Sequence, residues 1–218
     1  MDLCRQIDMP GDYRDLFRAD LPEANIVLFG YEKNERNRVY KAYTEFIDRL
    51  RQAVQQEPMP ESVVIHNGYK WDVADNTRKV KAQYRAFHVL RAGDISARIL
   101  SGYYRNADGR PYCIVDDLLD LAGSRTRPGE LLYFEVNEEN NPRRSFDINL
   151  YRARLLMAEV YPLLLDAVRH YAINGERFHE LYEAIKTYTL GHVSGGTDRE
   201  GRDFLTIYFA EQGRSGHP

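Results

Sequence analysis

The chain has 218 residues, 43% of them hydrophobic and 29% charged, with a formal net charge of −3. That balance is globular rather than disordered, and it excludes a global field that would draw the protein onto nucleic acid or an anionic membrane. Two cysteines, Cys4 and Cys113, exclude a disulfide framework, and without a CxxC pair they offer no zinc ligand set.

The N-terminal stretch MDLCRQIDMPGDYRDLF is charged and lacks an apolar signal core. No run of about 18 apolar residues occurs, so no membrane-spanning segment is expected. A reducing, cytoplasmic setting follows, with a secretion route that uses no cleaved signal left open. We expect a single domain over 1–218, with a helical portion at about 1–58 and an α+β portion at about 59–211.

In chain order, Asn34 to Val54 places Val39, Tyr40, Tyr43, Phe46, Ile47, Leu50 and Val54 at helical spacing, which predicts an amphipathic helix. The prolines of QQEPMPE end it. SVVIHNG reads as a strand, DNTRKVKAQ as a polar connector, and Tyr84 to Leu90 as an alternating strand. Asp94 is a plausible N-cap for a helix over Ile95 to Tyr104. YCIVDDLLDL reads as a strand running into a short helical piece, and LLYFEV as a strong strand. A main helical block is expected from Phe146 to about Tyr171, kinked or split at Pro162, with a further helix near Glu176 to Tyr188. LGHVSGGTDREGR reads as a glycine-rich functional loop and DFLTIYFA as a closing strand. The order predicts an α+β fold with an antiparallel or mixed sheet covered by helices.

P-loop, GxGxxG, HExxH and GxSxG motifs are all absent, and the six histidines do not fall at metal-ligand spacing. His88 lies beside Phe87 and Val89. If those two face the core, His88 shares the open face of the sheet with Ala86, where it could act as a general acid. The plainer reading is a hydrogen-bonded histidine without catalytic role. Arginines gather in three loops: Arg125 and Arg127, Arg143 and Arg144, Arg199 and Arg202. Guanidinium forks suit a phosphate or carboxylate if the loops converge, and are otherwise solvated.

AFHVLRAGDISARILSGYY resembles the segment around the acid histidine of the phosphothreonine lyase effectors of enteric pathogens. GSRTRPGELLYFEV and GTDREGR resemble two further loops of that family. SFDINLYRARLLMAEVYPLLLDAV resembles the arginine-bearing helix of HopA-type effectors and of lyase-like domains in lanthipeptide and thioamitide biosynthesis. Both resemblances imply β-elimination of phosphate from phosphothreonine or phosphoserine in a peptide or protein, leaving a dehydroamino acid. They imply His88 as acid and Arg125, His192, Arg199 and Arg202 as phosphate-binding residues, with no metal and no organic cofactor. The family's base lysine is absent at Cys113–Ile114, and Lys79 or Lys81 could replace it. The implied partners are a phosphorylated substrate and a kinase-like protein, with no nucleic acid and no membrane. The alternative is a non-catalytic relative that binds a phosphopeptide, a leader peptide or the kinase-like partner.

Overall fold

The structure is a computed structural model, and it describes residues 2–33, 38–88, 90–104 and 106–211. Eight strands are hydrogen-bonded in sequence order: β1 (Ile26–Lys33), β2 (Arg38–Glu45), β3 (Ser62–Asp72), β4 (Lys79–Phe87), β5 (Leu132–Glu138), β6 (Arg144–Asn149), β7 (Thr189–Thr197) and β8 (Asp203–Ala210). The fold is α+β with an antiparallel sheet, as the sequence suggested. The chain divides into two compact units, one holding the residues up to Ala86 with Val136–Pro142, the other Phe87–Glu135 with the residues from Arg143 onward.

In the first unit, α1 (Asp2–Gln6) and α2 (Gly11–Asp20) pack on one face of β2 and β3. Direct cross-strand partners share a face, and the register pairs Ala42 with Tyr69 and Tyr40 with Trp71. Those residues meet Cys4, Met9, Tyr13 and Phe17 in one apolar cluster. The Asp20 carboxylate, at the end of α2, accepts hydrogen bonds from Thr44, Asn67 and Tyr69. Burial and that carboxylate raise the Tyr69 phenol well above its usual range.

In the second unit, α4 (Ala92–Ile99), α5 (Arg110–Gly123), α6 (Tyr161–His170) and α7 (Gly175–Ile185) build the larger core against the sheet. Strands β6 and β7 send Phe146, Ile148, Leu150, Leu190 and Val193 into it. A Cβ at Gly123 would sit 2.7 Å from the Ala92 Cβ, so this glycine lets α5 approach the start of α4.

Six sequence expectations are corrected here. The helix over Asn34 to Val54 is strand β2 followed by the short α3 (Ile47–Ala53). RVYKAYTE is rich in β-branched and aromatic residues and takes ladder bonds from both β1 and β3. Residues 34–37 lie outside the described residues. The polar connector DNTRKVKAQ contains the start of β4, at Lys79. YCIVDDLLDL is wholly helical, inside α5, where Ile114, Val115, Leu118, Leu119 and Ala122 recur with helical period on the buried side. The block from Phe146 to Tyr171 begins as strand β6, passes through a 3-10 turn at Tyr151–Ala153, and becomes helical only at Tyr161. Pro162 therefore opens α6 rather than kinking a longer helix. The glycine-rich segment is mostly strand β7, and only 198–202 turns between strands. In the helix after RAGD, the N-cap is Arg91, and Asp94 accepts from its main-chain N–H from three residues on.

Candidate functional site

The face of β6–β8 turned away from the helical core is polar, because these strands alternate. Phe146, Ile148 and Leu150 go to the core, so Ser145, Asp147 and Asn149 share the other face. The ladder sets Asn149 opposite His192, Asp147 opposite Ser194, and His192 opposite Tyr208. One residue on, Gly191 interrupts the register between Leu190 and His192 as a bulge. A Cβ at Gly191 would sit 2.6 Å from the Tyr151 hydroxyl oxygen, so only glycine leaves room for that phenol.

Asp147 is the hub. Its Oδ1 lies 2.7 Å from His192 Nδ1, and its Oδ2 accepts a hydrogen bond from the Ser194 hydroxyl. The His192 side chain is 27% exposed and the Asp147 side chain 14%. Nδ1 faces the carboxylate, so Nε2 is the nitrogen left to a ligand. Two phenol rings stand edge-on to the imidazole, Tyr151 at 5.4 Å and Tyr208 at 6.3 Å between centroids. The arrangement can move a proton at Nε2 beside an aromatic wall, with the carboxylate stabilising the imidazolium.

The other site candidates fall elsewhere. His88 follows the last residue of β4, where strand alternation stops, and it is buried at 8% exposure rather than open to a cleft. Neither of its ring nitrogens has a hydrogen-bond partner. Its neighbour Val89 lies outside the described residues. Arg125 forms a two-point ion pair with Glu159, at 2.6 and 3.3 Å, tying the loop after α5 to the turn before α6. The pair raises the Arg125 pKa and lowers that of Glu159. Arg199 and Arg202 sit in the β7–β8 turn, where Arg202 bridges Asp198 and Glu200. Lys79 and Lys81 belong to the first unit. Lys79 is bonded to Asp12 above the Tyr13 ring, and Lys81 to Glu139 at 2.8 Å. The structure thus sets His192 beside a carboxylate and two phenol rings, while Arg125, Arg202, Lys79 and Lys81 each hold a carboxylate.

Asp147, Ser194 and Tyr151 were not singled out by sequence. Their signal is the period-2 alternation of SFDIN and HVS, which was masked by a helical reading of the first and a loop reading of the second. The Gly195–Gly196 pair serves the backbone rather than an anion. Gly196 has φ +136°, and a Cβ at Gly195 would meet Phe146, Leu205 and Tyr104 within 2.8 Å. Among the described residues, no three His, Cys, Asp or Glu side chains are grouped to hold a metal ion. No helix among them is long and apolar enough to cross a membrane.

No protein-family profile matches the sequence, and no curated protein matches it. Among solved structures, the chain is similar to 6-dimethylallyl tryptophan synthase, with a TM-score of 0.57 and 13% identity, over 96% of this chain and 69% of that one. This overturns the likeness to phosphothreonine lyases and HopA-type effectors, and with it the elimination chemistry, the effector role and the phosphopeptide-binding alternative. The segments that carried that likeness have other structures: SFDIN is a strand, and the histidine of AFH is buried. The phosphopeptide and kinase-like partner lose the resemblance they rested on. At this identity the similarity is one of fold alone: the chain shares its fold with that synthase.

Proposed function

We propose that the chain is a prenyltransferase-like protein that holds an aromatic acceptor against the polar face of β6–β8, with His192 as its base. The observation that carries this reading is the His192–Asp147 pair, with Nδ1 tied at 2.7 Å, Nε2 left to a ligand, and the Tyr151 and Tyr208 rings edge-on to the imidazole. The fold shared with a dimethylallyl tryptophan synthase supports it.

A ring carbon of the acceptor attacks the allylic carbon of the donor, a carbon–carbon bond forms, and the donor's carbon–oxygen bond breaks. The leaving group departs as an anion with the electron pair. The ring proton passes to His192 Nε2, and Asp147 holds the resulting imidazolium. A positioned base of this kind contributes about 10²–10⁴-fold to rate.

A second reading is an aromatic-ligand binding protein without transfer. It is favoured by four cations that carboxylates already hold. Lys41 is bonded to Glu32, Lys70 to Glu138, Arg125 to Glu159 and Arg202 to Asp198. A donor with an anionic leaving group needs cations to hold it.

The test is incubation of the full chain with dimethylallyl diphosphate and a panel of aromatic acceptors that includes tryptophan, read by mass spectrometry. Gain of one dimethylallyl group in place of a hydrogen, lost in His192→Ala, supports transfer. Saturable acceptor binding without product supports the second reading. Absence of both overturns the two together.

A further inference from the structure

A groove of about 300 Å³ opens between the start of α4 and the loop that follows α5. Leu90, Ala92 and Leu131 give it an apolar lining that belongs to the main core or packs on it. Arg91 and Arg127 line it too, and Asp120 contributes a carboxylate. The loop therefore divides its two arginines: Arg125 is bound to Glu159, while Arg127 lines the groove.

Among the described residues, neither the Arg91 nor the Arg127 guanidinium has an ion-pair partner. The two nearby acids are engaged with main chain instead: Asp94 accepts from the Arg91 N–H and Glu130 from the Arg127 N–H, at 2.9 and 2.8 Å. The start of α4 is thus already capped, and the attraction for an anion comes from the two side chains. Two guanidiniums and one carboxylate line the groove, and the Asp94 and Glu130 carboxylates keep their charges close by, which disfavours a dianion such as phosphate more than a monoanion. A planar guanidinium fork suits a carboxylate, and the lining suits an apolar body beside it. The volume lies at the lower end of the range of about 300–1,000 Å³ for small-molecule sites.

We infer that this groove binds a small organic monocarboxylate, its carboxylate between Arg91 and Arg127 and its apolar part over Leu90 and Leu131. The site is separate from the His192 face and does not rest on the proposed transfer.

The test is a heteronuclear NMR titration of the full chain with hexanoate, following the Gly93 and Gly129 amide signals, with hexanamide as the neutral counterpart. Hexanoate is expected to shift those signals saturably at millimolar concentration, with hexanamide about tenfold weaker. Arg91→Gln and Arg127→Gln should each weaken hexanoate by about tenfold. Gly93→Leu should weaken hexanoate binding, because Gly93 lines the groove and a Cβ there has open space around it for a longer side chain. Arg125→Gln should leave it unchanged. Equal affinity for the acid and the amide, binding that survives the double Arg91→Gln and Arg127→Gln change, or no saturable shift at all would each overturn the assignment. Tighter binding of inorganic phosphate than of hexanoate would also overturn it.

Discussion

Asp147 and His192 sit on adjacent antiparallel strands, one diagonal step apart on the same face, and their side chains meet at 2.7 Å. The ladder alone brings them together, across 45 residues of chain. Replacing the carboxylate by an amide keeps the shape but removes the charge that favours an imidazolium. Asp147→Asn is therefore expected to lower kcat of the proposed transfer by about 10²-fold with little change in KM for the acceptor. Equal losses in binding and rate would show that Asp147 shapes the acceptor site rather than supporting the base.

The two faces of β6–β8 should respond differently to truncation. Phe146 is fully buried, and Phe146→Ala is expected to cost about 3–5 kcal/mol in urea unfolding. Tyr208 is half exposed on the polar face, so Tyr208→Ala should stay within about 0.5 kcal/mol while weakening acceptor binding. Similar stability losses at both positions would contradict the sidedness described for the sheet.

Gly196 tests why the glycines lie in β7. Its φ of +136° disfavours any L side chain, and a Cβ would run into the Arg144 carbonyl oxygen. Gly196→Ala should lose more than about 1 kcal/mol. Gly201 also has positive φ, but a Cβ there meets nothing within 4 Å, so Gly201→Ala should be the milder change in thermal unfolding. The reverse order would point to a role for Gly196 other than backbone fit.

Asp203 links stability to pH. Burial pushes its pKa up, but the His170 ring at 3.0 Å and the Tyr171 hydroxyl outweigh that and hold it below its ordinary value of 3.8. A depressed folded-state pKa contributes stability above the unfolded value and loses it as pH falls through the folded one. Asp203→Asn should lower Tm at neutral pH, and the gap to the native chain should close below about pH 3.8. A gap that persists in acid would assign the loss to packing rather than to charge.

Trp71, the single tryptophan, donates from Nε1 to the Ile7 carbonyl oxygen and is 1% exposed beneath the N-terminal helices. Deleting residues 1–9 should shift its emission to the red and raise quenching by acrylamide. Unchanged emission would mean that the strands alone bury the indole.

The sequence by itself determined the α+β class, the strands LLYFEV and DFLTIYFA, the helix after RAGD and the start of a helix near Glu176. In each of these, one periodicity or capping pattern stands without a rival. It did not determine β2 or β6. In RVYKAYTE and SFDIN the apolar residues satisfy either period over a short window, and the choice falls to the neighbouring strands that supply ladder bonds. The site was less legible still. His192 was visible as a histidine, but its partner depends on a register between strands 45 residues apart. The arginine loops show the same limit in reverse. Spacing suggested a shared anion, and the tertiary structure gave Arg125 and Arg202 to nearby carboxylates while leaving Arg127 beside an open groove. A charge pattern names the groups that are present, and only packing decides which opposite charge each one meets first.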